Sequence, residues 1–391
     1  MRHFSLILAL AAPGAGQHLF PGRGERQVNR VWAVGLMLLV LLIVVAGGRG
    51  QTPTPAAPQI YVTEDRNHRL VRIDDMTGAG WITLGTQGGG ANQFSFPAGI
   101  FVEATGRIYM ADGGNNRIVR VDDMTGAGWT SFGTKGSSVN QFSFPAGVAV
   151  DGAGRIYVAD YFNRRIVRMD DMTGAGWVTF GTEGSGVNQF GSPSGISLDA
   201  QSRIHVVDLY VNERLVRINE MSGAGWTTLS IGIRQLGLVA LFALTLEAPF
   251  MWAGSAIDAS GRIYVADYFT NRVVRIDDMS GVGRTSLGST GAGVRQFRFP
   301  AGIAIDATSR IYVADALNNR IVRMDDIAGA GWTTLGAAGS GVHQFLRPSG
   351  IFVYQPRGAA RNRSRHDFGG IPFIGGTAVP RVLARCRAGP P

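Results

Sequence analysis

The chain has 391 residues, and 45% of them are hydrophobic, which is enough for a sizeable core. The single cysteine, Cys386, excludes an intramolecular disulfide and a Cys-x-x-Cys metal site. The formal net charge of +9 is carried by the two ends, residues 1–50 and 354–391, because the segment that separates them has 25 basic and 26 acidic residues. This balanced middle offers no basic surface for nucleic acid, and no nucleic-acid partner is expected.

The N-terminal region carries an export pattern. Residues 31–47 form an uncharged apolar run that follows Arg23, Arg26 and Arg30. A basic segment ahead of an apolar run is typical of export, with the arginines kept in the cytoplasm. The run also reaches the lower limit for a membrane-spanning helix, about 17 residues. We therefore predict an apolar signal or membrane-anchor helix within residues 1–50, and cleavage and anchoring both stay open.

Either outcome predicts an extracytoplasmic protein, which is secreted or periplasmic if the signal is cleaved and held in the membrane by residues 31–47 if it is not. Residues 51–58 contain alternating Pro and Thr and are predicted to be a linker. At the other end, residues 354–391 are rich in Arg, Gly and Pro and are predicted to be a disordered tail.

From Ile60 onward the chain repeats one motif. Near copies of Ile-Tyr-Val-Ala-Asp begin at Ile60, Ile108, Ile156, Ile204, Ile263 and Ile311. Within each repeat, Gly, Asp and Asn separate four short segments rich in β-branched residues, which predicts four strands. Four strands in about 48 residues are typical of a β-propeller blade. A β-helix would use a shorter repeat, and a sandwich would not repeat its sequence.

The first strand of each blade is out of phase with the other three. Six glycines open these strands: Gly99, Gly147, Gly195, Gly254, Gly302 and Gly350. The first repeat lacks its own first strand, and a spare one, Gly350–Val353, follows the last repeat. The sequence therefore predicts an all-β, six-bladed propeller of four-stranded antiparallel blades over residues 59–353, closed by the C-terminal strand pairing with Gln59–Val62.

The motif Tyr-Val-Ala-Asp followed by Asn-x-Arg-Ile resembles the NHL repeat. The resemblance is carried by Ile108–Arg120, Ile156–Arg168, Ile263–Arg275 and Ile311–Arg323. It implies a propeller fold, and it is much less specific for function. NHL-like propellers include RNA-binding and protein-binding domains, extracellular sensors and, among their relatives, lyases and lactonases. Glu64 replaces the motif's Asp in the first repeat, and the hairpin between the last two strands is longer than usual.

The recurrent polar and aromatic residues are interpreted as scaffold, because an active site breaks the symmetry of a repeat. The Asp that ends each second strand is expected to tie the following turn. The Trp that opens five outer strands is expected to pack on the adjacent blade. No histidine recurs in phase, and no ligand set for a metal is visible. No catalytic residue, metal or cofactor is therefore predicted, and a metal-dependent lactonase- or lyase-like enzyme is the alternative.

Symmetry is broken on one sector of one face. There, aromatic and apolar residues follow the Asp in successive blades, and the loop over residues 231–252 is longer than its siblings and has lost their Gln-Phe motif. The candidate residues are Tyr161, Phe162, Tyr210, Tyr268, Phe269, Leu317, Phe250 and Trp252. The sequence predicts a binding face for a protein or another envelope ligand. The alternative is that these aromatics pack beneath their own loops.

Overall fold

The computed structural model describes residues 57–208, 211–231 and 253–356. The predicted N-terminal helix and nearly all of the predicted tail lie outside these residues. Within the described ranges, no helix has both the length and the apolar character needed to cross a membrane.

Six four-stranded antiparallel sheets form the blades of a propeller. The inner strands, from blade 1 to blade 6, are Pro348–Tyr354, Pro97–Val102, Pro145–Val150, Gly195–Leu198, Ser255–Ile257 and Pro300–Ile305. The second strands are Gln59–Glu64, Ile108–Asp112, Ile156–Asp160, Ile204–Asp208, Ile263–Asp267 and Ile311–Asp315. Each inner strand contacts those of the two adjacent blades, and the sixth contacts the first, so the ring is closed.

The two remaining strands of each blade lie further from the axis. The third strands are Arg69–Ile73, Arg117–Val121, Arg165–Met169, Arg214–Ile218, Arg272–Ile276 and Arg320–Met324. The outer strands are Ile82–Leu84, Thr130–Phe132, Val178–Phe180, Thr227–Ser230, Thr285–Leu287 and Thr333–Leu335. Short parallel pairs join Thr86–Gln87 to Gln93–Phe94, Thr134–Lys135 to Gln141–Phe142, and Thr182–Glu183 to Gln189–Phe190. Two turns are 3₁₀ helices, Gly113–Asn115 and Ala316–Asn318.

Burial on both sides of each sheet explains the composition of the strands. All five residues of Ile156–Asp160 are buried, because one side of the blade packs on the preceding blade and the other on the following one. β-Branched and aromatic side chains suit such a pleated, doubly covered surface. The core is therefore divided among the gaps between blades.

The closing strand lies where the sequence predicts it. Antiparallel pairs join Ile60 to Val353 and Val62 to Ile351, which confirms that blade 1 is built from both ends of the repeat region. The Thr63 hydroxyl adds a further tie, because it accepts a hydrogen bond from the Gly350 amide at 2.8 Å and donates to a carbonyl of blade 2 at 2.5 Å.

The recurrent Asp holds the turn after the second strand. In blade 3, Asp160 is fully buried and accepts hydrogen bonds from the Ser143 amide at 2.7 Å, from Asn163 at 2.8 Å and from Arg165 Nε at 2.8 Å. Burial raises the pKa of Asp160, although these hydrogen bonds act to lower it. Glu64 takes the same role in blade 1. The predicted structural role of these carboxylates is confirmed.

Tryptophans pack at the junctions between blades. Trp177 of blade 3 packs on Phe142 of the preceding loop, with ring centroids 5.2 Å apart, and on Phe132 of blade 2 at 6.2 Å. In blade 5, Arg284 stands at the Trp position and donates to the carbonyls of Ser230 and Ile231. The junction between blades 4 and 5 is therefore built differently from the regular junctions.

Candidate functional site

The propeller has two faces, which we name by their loops. The interblade face carries the loops between consecutive blades and the turns between second and third strands. The hairpin face carries the turns between first and second strands and those between third and outer strands. Inner strands begin at the interblade face and end at the hairpin face.

Two of the predicted binding residues are buried in the structure. Tyr161 and Tyr268 are only 6% and 3% exposed. They belong to an aromatic plug at the interblade end of the central channel, whose members are Phe96, Phe144, Tyr161, Tyr268, Phe269 and Phe299 with Ala98, Ala146, Ala301 and Ala316. The rings of Tyr268 and Phe299 are 4.7 Å apart. Burial raises the pKa of Tyr268 to about 12.

The other predicted residues lie at the tips of the turns. Phe162 is 46% exposed, and Leu317 and Phe269 are half-buried. The remaining candidates, Tyr210, Phe250 and Trp252, lie outside the described residues. Val211, which sequence analysis did not single out, is 54% exposed on the corresponding turn of blade 4. The structure thus leaves an exposed apolar sector on the interblade face and buries the tyrosines beneath it.

One ion pair interrupts the aromatic plug. Asp65 takes the turn position that is Tyr161 in blade 3, and Arg347 takes the position of Phe144. Their side chains are 3.3 Å apart and are 3% and 12% exposed. Burial raises the pKa of Asp65 to about 6, against the lowering effect of Arg347. Sequence analysis missed this pair, although both residues depart from the repeat.

A ring of glycines constricts the central channel. A Cβ added to Gly147 would lie 2.5 Å from the Ser194 carbonyl oxygen, and one added to Gly302 would lie 2.6 Å from that of Ser349. The inner strands therefore approach more closely than side chains permit. The constriction encloses only about 70 Å³.

Beyond the constriction the channel widens into a bowl that ends at the hairpin face. The bowl has a volume of about 390 Å³ and is lined mainly by aliphatic side chains of the inner strands, including Val148, Val150, Ile196, Leu198, Ile257 and Ile305. Carboxylates stand at its rim, and Asp151 pairs there with Arg155 at 2.7 Å.

Polar groups interrupt the wall of the bowl between blades 4 and 5. The hydroxyl oxygens of Ser197 and Ser255, which both line the bowl, are 2.9 Å apart. His205 lies opposite Ser197 in the strand pairing, and its Nε2 is 3.1 Å from Asp199. Burial lowers the pKa of His205, and Asp199 opposes that shift. In the regular blades a tyrosine makes the equivalent bond, as Tyr157 does to Asp151 at 3.1 Å.

Metal-ligating side chains do not gather in the part of the chain that the structure describes: no group of three or more His, Cys, Asp or Glu is placed to hold an ion there.

Comparisons with known proteins agree with this architecture. A family model for the NHL repeat matches residues 142–168, which run from the loop before blade 3 into its third strand. The chain is a six-bladed β-propeller that carries an NHL repeat. No match to the sequence of this NHL-repeat propeller is found among the curated proteins.

Solved structures similar to this NHL-repeat propeller come from different functional classes. A chain from a nidogen–laminin complex is 16% identical, with a TM-score of 0.56, and the alignment covers 77% of this chain and 99% of that one. A streptogramin B lyase is 14% identical, with a TM-score of 0.50 and coverage of 78% and 92%. A protein of unknown function from Bacteroides caccae is 13% identical, with a TM-score of 0.53 and coverage of 77% and 99%. At these identities the likeness concerns the fold alone.

Proposed function

We propose that this NHL-repeat propeller is an exported binding module that holds a protein partner on its interblade face and has no catalytic activity of its own. The observation that carries the proposal is the exposed apolar sector on that face. Phe162 and Val211, on adjacent blades, are 46% and 54% exposed. Exposed aromatic and aliphatic side chains on a folded ring are typical of contact surfaces.

The sector is confined to part of the ring. The corresponding tips of blades 5 and 6 are Phe269 and Leu317, whereas blades 1 and 2 have Arg66 and Gly114 there. The loops around the same face add exposed valines at equivalent positions, Val139, Val187, Val294 and Val342. A partner that binds over blades 3 to 6 would bury apolar surface there. It would not meet an excess of positive or negative charge, because the ring is nearly neutral.

The aromatic plug supports this sector from beneath. Phe162 packs edge-on against Tyr161 and Phe144, with ring centroids 5.1 and 5.9 Å away. A side chain held in place before binding loses little conformational freedom on contact, which favours affinity. Export rests on the apolar run at residues 31–47 behind its arginines. The nidogen–laminin neighbour is compatible with protein binding by this type of ring.

Two substitutions on the interblade face and one on the hairpin face test the proposal. Phe162→Ser and Val211→Ser remove apolar contact surface, and each should weaken partner binding about tenfold. Val282→Ser is the matched control, because Val282 is 62% exposed on the hairpin face and should leave binding unchanged. Partners are captured from the envelope fraction by cross-linking to the full-length protein, and each variant's affinity is then measured with the purified partner.

The proposal fails if Val282→Ser weakens binding as much as Val211→Ser does, since the contact surface would then not be the interblade face. It also fails if both interblade variants bind like the unmodified protein. Melting temperatures of the variants establish that lost binding is not lost folding.

A further inference from the structure

Three departures from the repeat lie at the junction of blades 4 and 5, and two of them line the bowl. The inner-strand position next to the ring glycine is Ile or Val in five blades and is Ser255 in blade 5. The second-strand tyrosine is His205 in blade 4 and Tyr in the other blades. The third departure, Ser197, stands where the other blades have Ala or Phe. The two serines replace apolar side chains, and His205 replaces a larger aromatic one.

These three residues belong to one blade junction, although Ser255 is 58 residues from Ser197 in the sequence. The Ser197 and Ser255 hydroxyls are hydrogen-bonded across the junction of blades 4 and 5, with the oxygens 2.9 Å apart. His205 and Ser197 are directly paired between antiparallel strands, so their side chains share one side of the sheet.

The fold uses only one of the two nitrogens of His205. Its Nε2 pairs with Asp199 and so reproduces the bond that tyrosine makes in the regular blades. Nδ1 is buried and has no hydrogen-bond partner among the described residues, and the residue is only 3% exposed. A tyrosine would satisfy the scaffold without leaving a buried polar atom, which is costly to leave unpaired. With Nε2–H donated to Asp199, Nδ1 of the neutral ring is an acceptor.

The side chains that line the bowl are mainly aliphatic, and the charges at its rim are paired. Its volume of about 390 Å³ falls within the range of small-molecule sites. The rim carboxylate of Asp199 pairs with Arg203 at 2.6 Å, as Asp151 does with Arg155. A charged ligand would therefore lose its hydration and find no opposite charge to pair with, because the rim carboxylates are already paired with arginines.

We propose that the bowl binds an uncharged, mainly apolar small molecule whose single hydroxyl hydrogen-bonds at the polar spot formed by Ser197 and Ser255. A hydroxyl fits because it both donates and accepts. It can donate to a serine oxygen, and it can accept from the serine hydroxyl whose proton is not used in the bond between Ser197 and Ser255. The aliphatic wall then covers the rest of the molecule. This site lies on the face opposite the proposed partner surface.

Three probes of similar shape test the chemistry on the full-length protein. The first is 2-naphthol, which is uncharged and carries one hydroxyl; naphthalene lacks the hydroxyl, and 2-naphthoate carries a charge. Equilibrium dialysis should give a Kd for 2-naphthol about tenfold lower than for either analogue, which is the worth of one buried hydrogen bond or of an avoided charge burial.

Substitutions locate the site. Ser197→Ala keeps the space and removes a hydroxyl, so it should abolish the preference for 2-naphthol over naphthalene. Ser255→Ile restores the regular residue and fills the wall, so it should weaken binding of both. Ser131→Ala is the matched control, because Ser131 is exposed on an outer strand and should change nothing. Phe162→Ser should also leave probe binding intact, which separates this site from the partner surface.

Binding of the three probes to the unmodified protein is a readout that does not depend on the folding of any variant. The proposal is overturned if 2-naphthol shows no saturable binding, if the three probes bind equally, or if neither Ser197→Ala nor Ser255→Ile changes binding.

Discussion

Because the C-terminal strand closes the ring, we expect two C-terminal truncations to differ strongly in stability. Removing the chain from residue 348 onward deletes the inner strand of blade 1, Pro348–Tyr354. Removing it from residue 357 onward leaves every described strand in place. The first truncation should therefore destabilise the propeller severely, and the second should not.

The size of the effect follows from what the strand buries. Ile351 is 5% exposed and Phe352 is half-buried, and each side chain contributes about 2 kcal/mol. The strand also pairs with five residues of Gln59–Glu64, and its ladder hydrogen bonds contribute about 1 kcal/mol each. With about one hydrogen bond for each paired residue, the loss is about 9 kcal/mol, which is comparable with the whole stability of a typical domain, about 5–15 kcal/mol.

Urea unfolding followed by tryptophan fluorescence measures both truncations against the full-length protein. We expect the midpoint to be unchanged for the shorter deletion and to be lost, or to fall sharply, for the longer one. A glycine pair provides a milder version of the same test. Gly302→Ala would place a Cβ 2.6 Å from the Ser349 carbonyl oxygen of the closing strand, whereas Gly152→Ala meets no atom within 4 Å.

Equal midpoints for the two truncations would refute the reasoning, because the C-terminal strand would then not hold blade 1 together. Equal midpoints for Gly302→Ala and Gly152→Ala would likewise show that blade 6 and the closing strand are not in close contact.

Three further predictions follow from single features of the structure. Burial raises the pKa of Asp65 from its ordinary value of 3.8 to about 6, so between these pH values the folded protein holds a proton that the unfolded chain releases. Proton binding therefore stabilises the folded state at low pH, and this stabilisation is lost as the pH rises through about 6. Asp65→Asn should therefore flatten the fall in melting temperature between about pH 4 and 7, and an unchanged slope would contradict the assigned burial. Asp160→Ala leaves Arg165 Nε and a buried amide unpaired and should cost about 3–5 kcal/mol in urea unfolding, whereas Asp171→Ala, on an exposed hairpin, should cost far less. A reporter active only outside the cytoplasm, fused after Pro356, should be active if the chain is exported; activity of a cytoplasmic reporter alone would disprove export.

Much of the fold was predictable because it repeats. One motif that recurs six times set the number of blades, and the unmatched first strand required pairing between the two ends of the repeat region. The bond network around Asp160 was also predictable, because a carboxylate that recurs beside an arginine in every blade serves the scaffold. These inferences depend only on the local sequence pattern and on the number of copies of each strand.

The candidate sites were less predictable. Tyr161 and Phe162 are consecutive and equally aromatic, yet one is 6% exposed and the other 46%. Sequence analysis placed both on one binding face. The difference arises because the first residue after the Asp joins the aromatic plug with residues of other blades, while the second lies at the tip of the turn. Only the assembled ring shows which position is covered.

The sequence by itself determined the type of blade, the number of blades and the way the ring closes, since these follow from strand periodicity and from the phase of the repeat. The tertiary structure alone decided which departures from the repeat meet. Asp65 joins Arg347 across the closure of the ring, and Ser197 joins Ser255 across a blade junction. A closed ring brings the same position of every blade to one axis, so residues tens to hundreds of positions apart become neighbours there through geometry that no local pattern records.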